Sequence, residues 1–310
     1  MNKIVLSIFV LFVGFSMNAQ QTAIELSVPV QETAIDTSWK SGGVFGLNVG
    51  QSYLENWAAG GQNSLSIGAL FSTFKNYKKG KNAWDNNLDL AYGLLQQGSA
   101  AFIKTDDKID FSSKYGRELN KEHWFLSALV NFRSQFTEGY QDPLAPDSSL
   151  TVISKFLAPG YAIAALGLDY KPSDKFSLFV SPVTSKMTFV TDTDLSNAGA
   201  FGVTPGETFR NEIGAYLKAI YTNEILTNVG FTSKLDLFSN YEEITHIDVA
   251  WDNLLSMKVN KYITTTLGAT LLYDHDILIN LDDNNDGISE GVGQRAQFKE
   301  VLNIGFAYKF

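Results

Sequence analysis

Oxygen-bearing side chains that suit a metal ion stand together near the C-terminus. Asp282, Asn284 and Asp286 occupy alternate positions of the run DDNNDG. This spacing is typical of the first half of a calcium loop, where oxygen ligands precede a glycine turn. The twelfth position is Gly293 instead of glutamate, and Glu290 at the ninth position would have to replace it. Two interpretations stay open, a weak calcium site, which would be the protein's one cofactor, and a solvated acidic turn.

A second group of residues suits general base catalysis. Asp274-His275-Asp276 places carboxylates beside a histidine, a pairing that hydrolases use. Neighbouring residues on a strand point to opposite faces, so His275 would point away from both aspartates. The chain has only three histidines, and neither His246 nor His123 has an evident serine partner. We therefore predict that the protein is not an enzyme, and a surface hydrolase is the least supported alternative.

The composition excludes further classes of function. There are 33 acidic and 24 basic residues, for a formal charge of −9, and no cysteine. Nucleic-acid binding asks for concentrated basic side chains, so no nucleic acid is expected as a partner. Without cysteine, neither a disulfide framework nor a thiolate metal site can form.

The N-terminus predicts export. Lys3 precedes an apolar run that ends at Phe15, and the small residue Ala19 stands where cleavage would fall. This is the pattern of a cleaved Sec-type signal peptide over residues 1–19, since the apolar run is shorter than the ~20 residues of a membrane-spanning helix. Residues 20–38 lack a regular pattern and are predicted to be a flexible periplasmic segment.

From Trp39 onward, apolar and polar side chains alternate with the period of a β-strand. Twelve strands are predicted at 39–54, 64–78, 83–97, 108–119, 123–141, 157–171, 175–190, 210–222, 226–239, 244–259, 262–275 and 296–310. Most exceed the ~9–11 residues that cross a bilayer. Short connections alternate with long ones, which indicates a single all-β, antiparallel transmembrane barrel over residues 39–310, with short periplasmic turns and longer extracellular loops.

Aromatic residues support this reading independently. Nine of them fall at the strand ends that would face the periplasm: Trp39, Tyr77, Trp84, Trp124, Tyr170, Phe176, Tyr221, Tyr262 and Phe310. Rings at the headgroup level form the aromatic girdle of such barrels.

The alternation also predicts which charged residues face the lumen. Prominent among them are Asp85, Asp89, Lys114, Arg133, Lys218, Lys234, Asp236, Asp248 and Asp252. Two interpretations are equally open. Charges of both signs in a low-dielectric wall would pair and fill the interior, or they would line a narrow water-filled pore that selects solutes by charge.

Three segments carry a resemblance to a known family: WKSGG from Trp39, LNVGQSYLENWAAGGQNSLS, and WDNNLDLAYG at residues 84–93. They resemble a family of bacterial outer-membrane proteins, frequent in the Bacteroidota, that is classified as a domain of unknown function. The likeness covers residues 39–310 and implies a β-barrel in the outer membrane, without an assigned activity. Phe310, with Phe306 and Tyr308 on its face, resembles the C-terminal signature presented to the outer-membrane insertion machinery. The remaining expected partners are the lipid bilayer and lipopolysaccharide.

The NWAAGG element is expected to form a loop at the outer surface. Trp57 continues the apolar face of the first strand, and Gly60 and Gly61 would supply the positive φ angles of a tight reversal. The element is either a membrane anchor or a lid at the pore mouth. For the whole protein, we predict a passive, porin-like channel or facilitator for small solutes. The alternative is a structural or surface-binding barrel with a plugged lumen.

Overall fold

In a computed structural model, twelve long strands close into an antiparallel barrel, as the alternation predicts. The structure describes residues 38–55, 58–59, 61–144, 150–260, 263–281 and 291–309. The predicted signal peptide, the 20–38 segment apart from Ser38, and Phe310 lie outside these residues. Among the residues described, no helix is long and apolar enough to cross a membrane.

The barrel strands are β1 (Trp39–Ser52), β2 (Ser64–Lys79), β3 (Asn82–Gln97), β4 (Ile103–Glu118), β5 (Trp124–Ser134), β8 (Gly160–Ser173), β9 (Phe176–Phe189), β10 (Phe209–Leu226), β11 (Val229–Asn240), β12 (Ile247–Lys258), β13 (Ile263–Tyr273) and β16 (Gln297–Lys309). Each pairs with its neighbours in chain order, and β16 closes the ring against β1. Two small hairpins lie in the loops, β6 (Gly139–Tyr140) with β7 (Val152–Ser154) and β14 (Ile279–Leu281) with β15 (Gly291–Gly293).

The outer face of the barrel is apolar. On β16, Phe298, Leu302 and Ile304 are 60–66% exposed, and on β1 Val49 is 61% exposed. An apolar surface of this extent would drive association in water, whereas it matches the lipid-facing band of a membrane barrel. The period of two places the polar residues between them on the inside.

The barrel has two unlike ends, which we call the short-turn end and the long-loop end. Connections of two residues, 80–81, 174–175 and 227–228, lie at the short-turn end. Gly80 and Asn228 adopt φ angles of 56° and 66° there, the left-handed conformation that tight reversals require. The long-loop end carries residues 53–63, 98–102, 135–159, 190–208, 241–246 and 274–296.

The aromatic residues assemble at the short-turn end. Trp39 stands opposite Tyr77, which stands opposite Trp84 on the next strand. Trp124 likewise opposes Tyr170, with 5.0 Å between ring centroids. Phe176 opposes Tyr221, whereas Tyr262 and Phe310 lie outside the described residues. Adjacent rings on neighbouring strands thus form three aromatic groups at this end, here called the aromatic band.

Three strand boundaries differ from the predicted ones by four residues or more. β4 begins at Ile103 rather than 108, because a bulge at Thr105 lets the polar start of the strand keep pairing with β3. β5 ends at Ser134 rather than 141, and the chain then enters the β6–β7 hairpin. β10 runs to Leu226 rather than 222, because its turn is closed later, by Asn228 donating its N–H to Glu224 Oε1 at 2.9 Å.

The 190–208 loop folds on itself at the long-loop end. A helix, α1 (Thr193–Asn197), is capped by Asp192, whose carboxylate accepts the Leu195 N–H at 2.9 Å. Val190 and Val203 are buried against Ala158 from the preceding long loop. Lys155 of that same loop forms an ion pair with Asp192. Two long loops are therefore held together by one small apolar cluster and one ion pair.

Candidate functional site

Two ion pairs cross the full width of the barrel. Lys108 on β4 lies 3.1 Å from Asp252 on β12, and Lys234 on β11 lies 2.5 Å from Asp89 on β3. In each pair the two strands are six steps apart in a ring of twelve, so they are opposite walls. Side chains on opposite walls meet only through the interior, and these bridges therefore lie in the middle of the lumen.

Arg133 on β5 joins the bridges to a buried carboxylate cluster. Its Nε lies 3.0 Å from Asp110 Oδ2, and its Nη2 lies 2.7 Å from Asp236 Oδ2 and 3.9 Å from Asp252 Oδ2. Lys218 Nζ adds a second cation 2.9 Å from Asp236. Three carboxylates and three cations, counting Lys108, balance one another in this cluster, so the charges are largely neutralised within the lumen.

One half of the lumen is packed with side chains. Leu129, Ala165, Phe179, Tyr216 and Phe238 on strands β5 and β8 to β11 form a buried apolar cluster inside the barrel. Their exposed fractions are all 4% or less. The hydroxyl of Tyr216 donates a hydrogen bond to Asp236, which ties the apolar cluster to the ion pairs.

The other half of the lumen is lined by small residues and is hollow. A cavity of about 360 Å³, here called the small-residue cavity, lies along it. Its small lining residues include Asn48, Ser66, Gly68, Ser72, Gly93, Thr232, Thr266, Gly268, Thr270 and Asn303. Both crossing bridges, Lys108–Asp252 and Lys234–Asp89, contribute to its wall.

A second cavity of about 540 Å³, the vestibule, lies toward the long-loop end. Its wall includes Gln135, Tyr161, Lys186, Phe201, Phe238, Asp248, Tyr273 and Asp274. Lys108, Asp252, Thr270 and Lys299 belong to the walls of both cavities. The Lys108–Asp252 bridge thus stands where the vestibule meets the small-residue cavity.

At the outer end of the vestibule, nearer the long loops than the Arg133 cluster that forms its floor, acidic groups outnumber basic ones. Lys186 Nζ lies 2.5 Å from Asp248, 3.2 Å from Asp274 and 3.8 Å from Glu212. Arg210 pairs with Glu212 at 3.2 Å and with Asp276 at 2.5 Å. This loop-end cluster consists of Lys186, Arg210, Glu212, Asp248, Asp274 and Asp276, and its formal charge is two cations against four carboxylates.

Toward the short-turn end, two ion pairs join strands that are only two or three steps apart in the ring. Lys114 on β4 lies 2.7 Å from Asp169 on β8, and Ser177 accepts from the same ammonium at 2.7 Å. Lys171 lies 2.6 Å from Asp85. These contacts close the lumen wall on the packed side without crossing its full width.

The nine residues predicted to face the lumen all take part in these ion pairs: Asp85, Asp89, Lys114, Arg133, Lys218, Lys234, Asp236, Asp248 and Asp252. Whether they select solutes stays a prediction. Four cations of the network were not predicted, Lys108, Lys171, Lys186 and Arg210. Lys108 and Lys171 share the parity of Asp110 and Asp169, so continuing the alternation by one step would have found them.

A bulge in β9 explains why the alternation did not predict Lys186. Between Val180 and Thr184, β9 has one residue more than either neighbouring strand, so Pro182 and Val183 both face outward. Before the bulge the odd-numbered residues of β9 face the lumen, and after it the even-numbered residues do, among them Lys186. Proline within a strand pattern is a sign of such a bulge, because it lacks the N–H that the ladder needs.

The Asp274-His275-Asp276 segment does not form a carboxylate–histidine pair. Asp274 and Asp276 pair with Lys186 and Arg210 instead. The His275 ring stacks on His246, with 3.5 Å between centroids, and its Nδ1 lies 3.2 Å from the Tyr273 hydroxyl. This geometry is that of a packed pair of rim histidines.

Other predicted elements fall partly or wholly outside the described residues. These are Trp57, Gly60, Asp282, Asn284, Asp286, Glu290 and Phe310, so the loop element and the calcium loop stay predictions. Gly61 is described and has a φ of 115°, where an added Cβ would lie 2.8 Å from Leu54 Cδ1. Within the described ranges, no group of three or more acidic, histidine or cysteine side chains is placed to hold a metal ion.

Comparison with known proteins gives one family match. Residues 49–140 match a family described only as a protein of unknown function, DUF3078. This match confirms the resemblance to a family of unknown function for that segment, which contains NWAAGG and residues 84–93; the extension to 39–310 and the Bacteroidota origin stay predictions. No curated protein matches the chain at a significant level.

Solved structures similar to the chain include a porin and an outer-membrane channel. The NanC porin has 10% identity and a TM-score of 0.38, with 86% of this chain and 98% of that chain covered. An outer-membrane channel from Pseudomonas putida F1 has 11% identity and a TM-score of 0.36, with 91% and 99% covered. The barrel itself is established by the closed ring of paired strands.

Proposed function

We propose that this protein is a bacterial outer-membrane channel for small solutes, closed in the described conformation by ion pairs that cross its lumen. The short-turn end would face the periplasm, and the long-loop end would face the outside. The apolar outer face and the aromatic band support the membrane location.

One observation carries the proposal. Two cavities follow one another along the lumen, and among the residues that the structure describes the barrier between them includes the Lys108–Asp252 bridge. Lysine side chains are long and flexible, and both side chains of this bridge border cavities that can admit water. The bridge can therefore separate without unfolding the barrel and leave a path along the small-residue half.

A second candidate function is a structural or surface-binding barrel with a filled lumen. The apolar cluster around Phe179 and Tyr216 favours it, since half of the interior is packed like a protein core. The two candidates differ in whether ions pass through the hollow half.

Planar-bilayer conductance of the purified protein separates them. The informative variant is Lys108→Ala/Asp252→Ser, which removes both ends of the bridge between the two cavities and keeps the net charge. Its matched control is Lys155→Ala/Asp192→Ser, which removes an ion pair between two neighbouring long loops and also keeps the net charge. We expect a small current from the unmodified protein, a severalfold larger single-channel current from the bridge variant, and no change in the control.

Absence of current from all three folded proteins would refute the channel and favour the filled barrel. A current that rises equally in the bridge variant and the control would show that ions pass elsewhere than along the bridged lumen.

A further inference from the structure

The geometry points to a binding site in the vestibule for a small organic ammonium ion that carries a hydrogen-bonding group. Binding there needs the vestibule alone and does not require that the lumen conduct. The site combines aromatic walls, an excess of carboxylates and buried polar atoms that lack partners.

The carboxylate excess defines the charge of the ligand. The loop-end cluster has four carboxylates and two cations, whereas the Arg133 cluster at the vestibule floor is balanced. Asp248 and Asp274 belong to the vestibule wall. A concave wall with net negative charge concentrates cations and repels anions.

Lys186 shows that this wall accepts an ammonium group. Its Nζ lies 5.9 Å from the ring centroid of Tyr161 and 5.5 Å from that of Phe238. The same Nζ contacts Asp248 and Asp274. An ammonium between aromatic rings and carboxylates is stabilised by the ring quadrupole as well as by charge. After Lys186 and Arg210 are counted, two negative charges of the cluster remain for a ligand.

The rest of the vestibule suits the organic part of such a ligand. Phe201 and Tyr273 add aromatic surface to the wall, and the volume of about 540 Å³ admits a small molecule. Among the described residues, the Tyr161 hydroxyl and Gln135 Nε2 are buried and have no hydrogen-bond partner. Both residues line the vestibule. A ligand hydroxyl would give these groups the partner that buried polar atoms require.

Choline and 3,3-dimethylbutan-1-ol provide a matched pair of probes, because they have nearly the same shape and differ by one positive charge. Titration calorimetry uses the whole exported chain, folded in non-ionic detergent micelles, with empty micelles as the blank. We expect a saturable heat with choline and none with the neutral alcohol.

Variants locate the site. Asp274→Asn should weaken choline binding about tenfold, as expected when a unit charge leaves a partly screened site. The matched control Asp85→Asn removes the same charge near the short-turn end and should leave binding unchanged. Tyr273→Leu should also weaken binding, since it removes an aromatic face at constant charge. If Asp274→Asn does not fold, Asp276→Asn tests the same charge excess.

Several outcomes would overturn the inference. They are no saturable heat from folded protein with choline, equal heats from choline and the neutral alcohol, or equal weakening by Asp274→Asn and Asp85→Asn. None of these outcomes changes the conductance result. The calorimetry therefore tests the binding site independently of the channel proposal.

Discussion

Replacing Arg133 with methionine should destabilise the barrel by about 3 kcal/mol, and Asp110 is the main reason. Asp110 is buried, with 6% of its surface exposed, and Arg133 Nε lies 3.0 Å from its Oδ2. Its remaining side-chain hydrogen bond comes from Asn131 Nδ2 at 2.8 Å. The substitution therefore leaves a buried carboxylate with an amide as its nearest polar partner.

The magnitude follows from this geometry. Two unit charges 3.0 Å apart attract by about 5 to 6 kcal/mol at an effective dielectric constant of about 20. Losing one partner of a buried pair typically costs about 3–5 kcal/mol. We expect the lower end of this range, because Asp236 keeps Lys218 and Asp252 keeps Lys108.

Urea unfolding in lipid vesicles, followed by the fluorescence of the five tryptophans, measures the effect. Arg133→Met/Asp110→Asn should recover at least about half of the loss, since an amide is far less costly to bury than an unpaired charge. Lys40→Met removes a cation from a highly exposed pair and should change stability by less than about 0.5 kcal/mol. The reasoning fails if Arg133→Met stays within about 0.5 kcal/mol of the parent, or if the double variant is no more stable than the single one.

Three further predictions test the wall, a bulge and a loop. Gly214→Ala should destabilise the barrel by about 1–3 kcal/mol, because the new Cβ would lie 2.1 Å from a backbone carbonyl oxygen, whereas Gly230→Ala meets nothing within 4 Å and serves as the control in the same urea assay. Deleting Ser185 should abolish folding into vesicles, because it turns Lys186 toward the lipid, whereas deleting Pro182 removes only the extra residue of the bulge, keeps the facing of both half-strands and should fold, as seen by resistance to trypsin. The side-chain hydrogen bond from Lys155 and the Leu195 N–H hold the pKa of Asp192 below its ordinary value, so this loop contact is present at neutral pH and is lost as pH falls through the lowered pKa. Hydrogen exchange in residues 190–208 should therefore rise at acid pH beyond the intrinsic rate change, and Asp192→Asn should flatten that dependence.

Much of the fold follows from local pattern. The sequence has a strict period of two, long strands and connections of alternating length. In a membrane, a closed barrel is the arrangement of such strands that pairs every backbone N–H and C=O group. Two failures of the pattern come from bulges: the start of β4, near Thr105, and the facing of β9 beyond Pro182. A bulge reverses parity without changing composition, so alternation predicts the wrong face beyond it unless the proline is taken as its sign.

The lumen was less predictable than the wall. The alternation of inward and outward residues assigns Asp89 and Lys234 to the interior, but it does not show which strands lie opposite each other. That relation depends on ring order and on the stagger of every strand pair. The apolar cluster inside the barrel is a second example, because Phe179 and Phe238 occur at inward parity among polar neighbours. Only the closed ring shows that they meet and fill one half.

The packed half and the hollow half of the lumen differ in what it costs to open them. An apolar cluster is stabilised by removing its surface from water, and separating it would expose that surface again. An ion pair that borders a cavity exchanges one set of polar contacts for another when it opens, because water in the cavity can solvate the separated charges. A barrel whose whole interior were packed like Leu129 and Phe179 could not conduct without partly unfolding. Here the residues that close the hollow half are lysines and aspartates reaching from opposite walls, so a path can open there while the packed half holds the barrel together.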